Sequence, residues 1–259
     1  MCRMAGYQGP AAPLSHLLYD SDRALSTQAW DPREMLYGNV NVDGTGVAWW
    51  PEAEHDSAPL RYATPAAAWN DANLPELAAR LRACTMIAAV RSGTAGIPFG
   101  PVNVAPFVRG NIALTHNGFI QGFRAGVGRT LLERLSQEAF GEFDAVSDSQ
   151  VILLLLRTHM ATGLDLEASV RAALDDVVAV VTEAGTGATL NLLVSDGQSL
   201  IATRSSLGLE QNSLYLSRDT DDSTVIASEP LDSVRHWQKV EAQSIITVRD
   251  AEVRIQQLS

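Results

Sequence analysis

Cysteine is scarce in this chain: Cys2 and Cys84 are the two among 259 residues. That excludes a disulfide framework and any zinc site built on paired cysteines. Positive charge is also short, with 19 Lys and Arg against 30 Asp and Glu, a net charge of −11. A nucleic-acid binder would show a basic patch, so that class is disfavoured. Acidity of this size otherwise speaks only to solubility. The five histidines show no metal-ligand spacing. The longest strongly apolar run, Val151 to Leu156, is far too short to span a bilayer. The first residues lack the charged region and apolar stretch of a signal peptide. No glycine-rich phosphate loop follows a strand and opens a helix, which disfavours a nucleotide fold. Repeats and low-complexity linkers are missing too. The expectation is a soluble cytoplasmic protein acting on a small molecule, with no metal, no cofactor and no contact with nucleic acid or membrane; a homo-oligomer stays open.

Hydrophobic residues make up 46% of the chain, enough for a substantial core, and the length fits one large domain or two small ones. Strand-like runs occur at 45–50, 85–91, 111–116, 189–195, 199–204, 213–217, 223–228, 243–249 and 252–257. Asp196-Gly197 between two of them is a hairpin signal. Residues 51–75 read as loop with one short helix at most. Three helices are expected, at 129–140, 148–161 and 166–184. Ser147-x-x-Gln150 has capping-box form before the second. Cys84 heads an apolar run and reads as a core residue. So do Trp49 and Trp50, although a pocket lining suits them too. Helices grouped mid-chain between strands indicate an α+β fold with antiparallel sheets.

The chemistry begins at the second residue. The chain opens Met1-Cys2-Arg3-Met4-Ala5-Gly6. A start Met before a small residue is normally clipped, and the mature chain would then begin with a cysteine that carries a thiol and a free α-amine. Such an amine has a usable neutral fraction near pH 7 and can serve as base for its own side chain. Four other patterns supply what a thiol alone lacks. In Leu114-Thr115-His116-Asn117-Gly118, an amide NH2 beside a glycine N–H can form an oxyanion hole, although Asn-Gly also closes hairpins. Arg91, at the end of the run Ala88-Ala89-Val90, can grip a carboxylate with two parallel hydrogen bonds. Asp148, in Ser147-Asp148-Ser149, can accept from an ammonium, although Asp is also favoured at helix starts by the dipole. Asn41-Val42-Asp43-Gly44-Thr45-Gly46 reads as a turn entering a strand, with glycines where backbones approach closely. Together these parts permit hydrolysis of a γ-glutamyl amide.

Met1-Cys2-Arg3, Asn41-x-Asp43-Gly44-x-Gly46, Val90-Arg91-Ser92-x-Thr94, His116-Asn117-Gly118, Ser147-Asp148-Ser149 and Ala227-Ser228-Glu229-Pro230 occur in that order. As a set they resemble the class II glutamine amidotransferase domain of the N-terminal-nucleophile hydrolases, from residue 2 to about residue 235. The resemblance implies a four-layer αββα sandwich of two antiparallel sheets flanked by helices, a single domain over 2–259 with Met1 removed. It implies Cys2 as nucleophile, Asn117 and Gly118 as oxyanion hole, and Arg91, Thr94, His116 and Asp148 as contacts to the glutamyl head group. No second domain for using released ammonia is expected. Gln28-Ala29-Trp30-Asp31-Pro32-Arg33, Leu190-Asn191-Leu192 and Ser195-Asp196-Gly197 are further similar to the ergothioneine-pathway γ-glutamyl hydrolases, which remove glutamate from a γ-glutamyl-hercynylcysteine sulfoxide. Met4-Ala5-Gly6 and Thr45 depart from that branch, which usually has His-Leu-Gly and an aromatic residue there, on the side expected to hold the leaving group. A glutaminase subunit feeding a separate synthase, and a non-catalytic γ-glutamyl sensor, are the alternatives.

Overall fold

Alternating side-chain direction along the strands sets the layers. In the computed structural model, which describes residues 2–51, 57–93, 99–144 and 147–258, two seven- and six-membered strand paths stack face to face. In chain order the elements are β1 (Arg3–Pro13), α1 (Ser15–Leu18), α2 (Leu25–Trp30), β2 (Thr45–Trp50), β3 (Leu60–Thr64), α3 (Leu74–Arg80), β4 (Arg82–Val90), β5 (Phe107–Arg109) and β6 (Ile112–Ile120). Then follow α4 (Val127–Leu132), α5 (Gln137–Gly141), α6 (Asp148–Met160), α7 (Leu166–Glu183), β7 (Ala188–Ser195), β8 (Ser199–Arg204) and β9 (Ser206–Leu207). The chain closes with β10 (Tyr215–Arg218), β11 (Thr224–Ala227), β12 (Trp237–Lys239), β13 (Ser244–Arg249) and β14 (Glu252–Gln257). The first sheet runs β12-β10-β11-β1-β4-β2-β3 and the second β14-β13-β8-β7-β6-β5, with β9 beside β7. The pairings are antiparallel.

Side chains of a strand point alternately to its two faces, and the first sheet uses both. Met4, Ala48, Trp50, Ile87, Ala89 and Ile226 face inward and join the core shared with the second sheet. Ala5, Tyr7, Val47, Trp49, Ala88 and Val90 face outward and pack under Leu17, Leu18, Leu25 and Ala29 of α1 and α2. On the far side, α6 and α7 lay Val151, Leu155, Val170 and Val177 against the second sheet. The result is the expected αββα sandwich, and both tryptophans serve the core.

Several boundaries differ from the sequence reading. The helix expected at 129–140 is two helices: the first stops at Leu132, and Ser136, in extended conformation, caps the second by accepting from Ala139 N–H at 3.1 Å. Ser147 caps α6 as expected, accepting from Gln150 N–H at 3.2 Å. The reciprocal half of the box does not form, since the Gln150 amide donates to the Val102 carbonyl instead. Residues 51–75 contain β3, and β1 is an eleven-residue strand that polar and small residues conceal. Cys84 is half-buried beside Gln8, Thr85 and Gly197 on the wall of a groove, rather than in the core.

Candidate active site

Strand periodicity brings the two halves of the site together. Met4 and Gly6 of β1 point between the sheets, the latter towards Leu200. By the same alternation Cys2, just ahead of β1, shares that face. From the second sheet, Thr115 of β6 points inward and its hydroxyl donates to Met4 Sδ at 3.2 Å. Asn117, two residues on, shares the inward face and lies one step nearer the Cys2 end. Ser228 closes the gap between the sheets. Its Oγ accepts from Met4 N–H at 3.0 Å and lies 3.4 Å from Asn117 Nδ2, while its own N–H donates to the Met4 carbonyl at 2.9 Å.

Gly118 is required by packing. A Cβ there would stand 1.9 Å from the Thr189 carbonyl oxygen and 2.4 Å from His116 Nε2. No side chain fits against backbone at that range, so β6 and β7 approach closely only with glycine here. The Asn117 backbone carbonyl is held in turn by Asn212 Nδ2 at 3.0 Å. Asn191 donates from the facing position of β7 to the Asn212 and Ser213 carbonyls.

Arg91 stands beside the chain's beginning. Arg3 pairs with Val90 across the β1–β4 ladder, so the next position in register sets Cys2 opposite Arg91. The Arg91 backbone is pinned on both sides, with N–H donating to the Gly44 carbonyl at 2.8 Å and its carbonyl accepting from Asp43 N–H at 3.0 Å. Asp43 Oδ2 accepts from Gly93 N–H, which fixes the turn that follows. The Arg91 guanidinium reaches the Asp43 carbonyl at 3.4 Å and the Phe99 ring at 6.0 Å. Although it is nearly buried, it makes no ion pair with a carboxylate among the described residues. A cation so placed has spare donors for an anionic ligand.

Arg3 is the opposite case. It is fully buried, its Nε donates to the Cys2 carbonyl at 2.9 Å and its Nη1 to Glu229 Oε1 at 2.9 Å. Burial lowers its pKa and the Glu229 charge opposes that shift. Glu229 also accepts from Glu34 N–H at 3.0 Å and Arg33 N–H at 2.9 Å, with Arg23 Nη2 3.9 Å away. The first residues of the chain are therefore anchored by a charge pair whose carboxylate is nearly saturated.

The remaining expected contacts divide. Thr94 lies outside the described residues. His116 points outward, away from Asn117, and both its ring nitrogens are engaged, with Ser149 Oγ at 3.1 Å and the Thr189 carbonyl at 2.8 Å. It ties β6 to β7 and α6. Asp148 Oδ2 accepts from Ile120 N–H at 3.1 Å and its Oδ1 from Ser149 N–H at 2.8 Å. Oδ1 also accepts from the Ser149 hydroxyl at 3.3 Å, so Oδ2 keeps the lone pair for a further donor. Met4 and Thr45, expected near the leaving-group side, are fully buried; Thr45 donates to the Ala66 carbonyl at 3.2 Å. More exposed are the aromatic side chains Tyr37, edge-on to the half-buried Phe119 at 5.5 Å, and Phe99, over Arg91. Sequence motifs pointed to Asn191, Ser228 and Glu229 without assigning them roles; nothing local marked Asn212, whose partner Asn117 is far away in the chain.

A family model described as glutamine amidotransferases class-II matches residues 18–220. The gamma-glutamyl-hercynylcysteine sulfoxide hydrolase of Mycobacterium tuberculosis (strain H37Rv) is 32% identical over 248 residues, covering 96% of this chain and 93% of that protein. Its namesake in Mycolicibacterium smegmatis is 30% identical over 253 residues, covering 98% of each. A solved structure, a glutamine aminotransferase class-II domain protein from Silicibacter pomeroyi, shares the fold with a TM-score of 0.75 at 21% identity, covering 100% of this chain and 99% of that one.

Proposed function

The chain belongs to the class II glutamine amidotransferases, and from that premise we propose that it is a γ-glutamyl amidohydrolase. Its substrate is the γ-glutamyl-hercynylcysteine sulfoxide of ergothioneine biosynthesis, as the names of two full-length relatives suggest. The observation that carries this reading is Ser228 bridging Met4, two residues from Cys2 at the start of one sheet, to Asn117 on the other.

Removal of Met1 leaves Cys2 with a free α-amine. The amine takes the thiol proton, and Sγ attacks the γ-carbonyl carbon of the substrate. The negative charge that develops on the carbonyl oxygen is met by the Asn117 side-chain NH2 and the Gly118 N–H. Arg91 pairs with the substrate α-carboxylate, since it is a nearly buried cation with no carboxylate partner among the described residues. Asp148 accepts from the α-ammonium, and Thr94 adds a contact to the head group. When the intermediate collapses, the C–N bond breaks and the leaving amine takes the proton held on the α-ammonium of Cys2. Water, deprotonated by the same amine, then cleaves the γ-glutamyl thioester and releases glutamate. The leaving group lies over the aromatic side chains of Tyr37, Phe119 and Phe99.

The test is glutamate release from a set of γ-glutamyl donors: glutamine, γ-glutamyl-cysteine conjugates and the hercynyl sulfoxide. Turnover of the sulfoxide well above that of glutamine is expected. A preference for free glutamine would replace this reading with that of a glutaminase subunit.

A further inference from the structure

Around Asn117 the Ser228 hydroxyl proton and Asn117 Oδ1 are without partners among the described residues, and one change pairs them with each other. Ser228 Oγ accepts from Met4 N–H at 3.0 Å and faces Asn117 Nδ2 at 3.4 Å. In that arrangement it accepts twice, and no acceptor is recorded for its own proton among the described residues. Meanwhile Asn117 Oδ1 is buried without a donor. A buried polar atom left unsatisfied costs about 1–3 kcal/mol. The two ends of a carboxamide are nearly alike in shape, and a half-turn about the last side-chain bond exchanges them. After it, the Ser228 hydroxyl donates to Asn117 Oδ1, and the pair can close towards the roughly 2.7–2.8 Å of an O–H···O bond. Asn117 Nδ2, with both its protons, is then free to point away from Ser228.

We propose that Ser228 is a positioning residue that accepts from the Met4 backbone and donates to Asn117 Oδ1, turning the Asn117 NH2 towards the carbonyl attacked by Cys2. One hydroxyl thereby sets the nucleophile's strand and the oxyanion donor in register across the two sheets. The Ser213 hydroxyl holds the Ser228 carbonyl at 2.7 Å, and the Ser228 N–H is committed to Met4, so the residue has little freedom to do otherwise. This rests on the amidohydrolase reading for its consequence, but not for the orientation itself.

The experiment combines kinetics with side-chain amide NMR on the full chain. Ser228→Ala is expected to lower kcat roughly 10- to 100-fold, less than the roughly 10²–10³-fold cost of losing an oxyanion donor. KM should change little, since the head-group contacts remain. Ser228→Thr keeps the hydroxyl and should keep most of the activity. Ser228→Cys keeps the shape with only a weak S–H donor, and decides the matter if the alanine variant does not fold. In an Asn117→Ala background the Ser228 substitution should cost nothing further. An equal loss in both backgrounds, or wild-type kcat in Ser228→Cys and Ser228→Ala, overturns the proposal. The Asn117 Nδ2 resonances should shift in Ser228→Ala and stay in place in Ser228→Thr; no shift in the alanine variant also overturns it. If the wild-type protein cleaves no γ-glutamyl donor, the amidohydrolase reading fails; the orientation is overturned separately if NOEs place the Asn117 Nδ2 protons against the Ser228 methylene.

Discussion

The flank formed by α6 and α7 and the polar end of the sandwich around Cys2 are held together by opposite means. Along α6 every residue from Gln150 to Leu156 is buried, and α7 buries Val170, Ala173, Leu174, Val177, Val180 and Val181. Each fully buried aliphatic side chain contributes about 1.5–3 kcal/mol. Ser147 and Asp165 cap the two helices at their starts. At the other end the buried residues are Arg3, Asn41, Asn117, Asn191, Asn212, Ser228 and Glu229. Some polar groups there lack partners among the described residues: Arg3 Nη2, Asn117 Oδ1 and both ends of the Asn41 amide. A partly satisfied buried polar network is less stable than an apolar core of equal volume. The difference teaches how each part is held: the flank by apolar burial and helix caps, the polar end by a buried charge pair and amide hydrogen bonds, which is where the proposed chemistry lies.

That comparison can be broken from either side. The largest effect is expected from Cys2→Ala, which should lower glutamate release by at least about 10³-fold, with a melting temperature close to wild type. Full activity in this variant would remove the catalytic account of the polar end. Next comes Glu229→Ala. It strands Arg3 as a buried unpaired charge and should cost about 3–5 kcal/mol in urea unfolding. It should also lower activity, because Arg3 then no longer holds the Cys2 carbonyl firmly. Glu229→Gln should be milder on both measures. Leu155→Ala, in the middle of the buried face of α6, should cost about 2–5 kcal/mol while the folded fraction keeps its kcat. A large fall in kcat there would mean that the flank is not separate from the site. The smallest effect is expected from Ser147→Ala, a lost cap worth about 1 kcal/mol by thermal unfolding.

The flank was almost wholly legible in the sequence. The period of Leu and Val and the Ser147 cap place the helices at 148–161 and 166–184, within one residue of those observed; the Asp165 cap was not anticipated. The strands with continuous apolar runs were legible for the same reason. β1 was not, because Arg3, Gly6, Gln8 and Gly9 interrupt its pattern, and its pairing with β4 and β11 is a long-range matter. At the site, motifs named Cys2, Arg91, Asn117, Gly118 and Asp148. They did not show that His116 faces the other way: one strand position apart from Asn117, it must point to the opposite face. Nor could local sequence reveal that Arg3 needs Glu229, 226 residues away. Buried ion pairs carry no periodicity, and only the fold brings the partners together.

The central claim is that Cys2, exposed as the first residue, forms an acyl bond to the γ-glutamyl group. The direct measurement is the intact mass of the protein quenched during turnover, followed by peptide mapping. The account predicts a chain that lacks Met1 and carries one γ-glutamyl group on Cys2, released by longer incubation. An active protein that retains Met1, or an adduct mapped to any other residue, would contradict it.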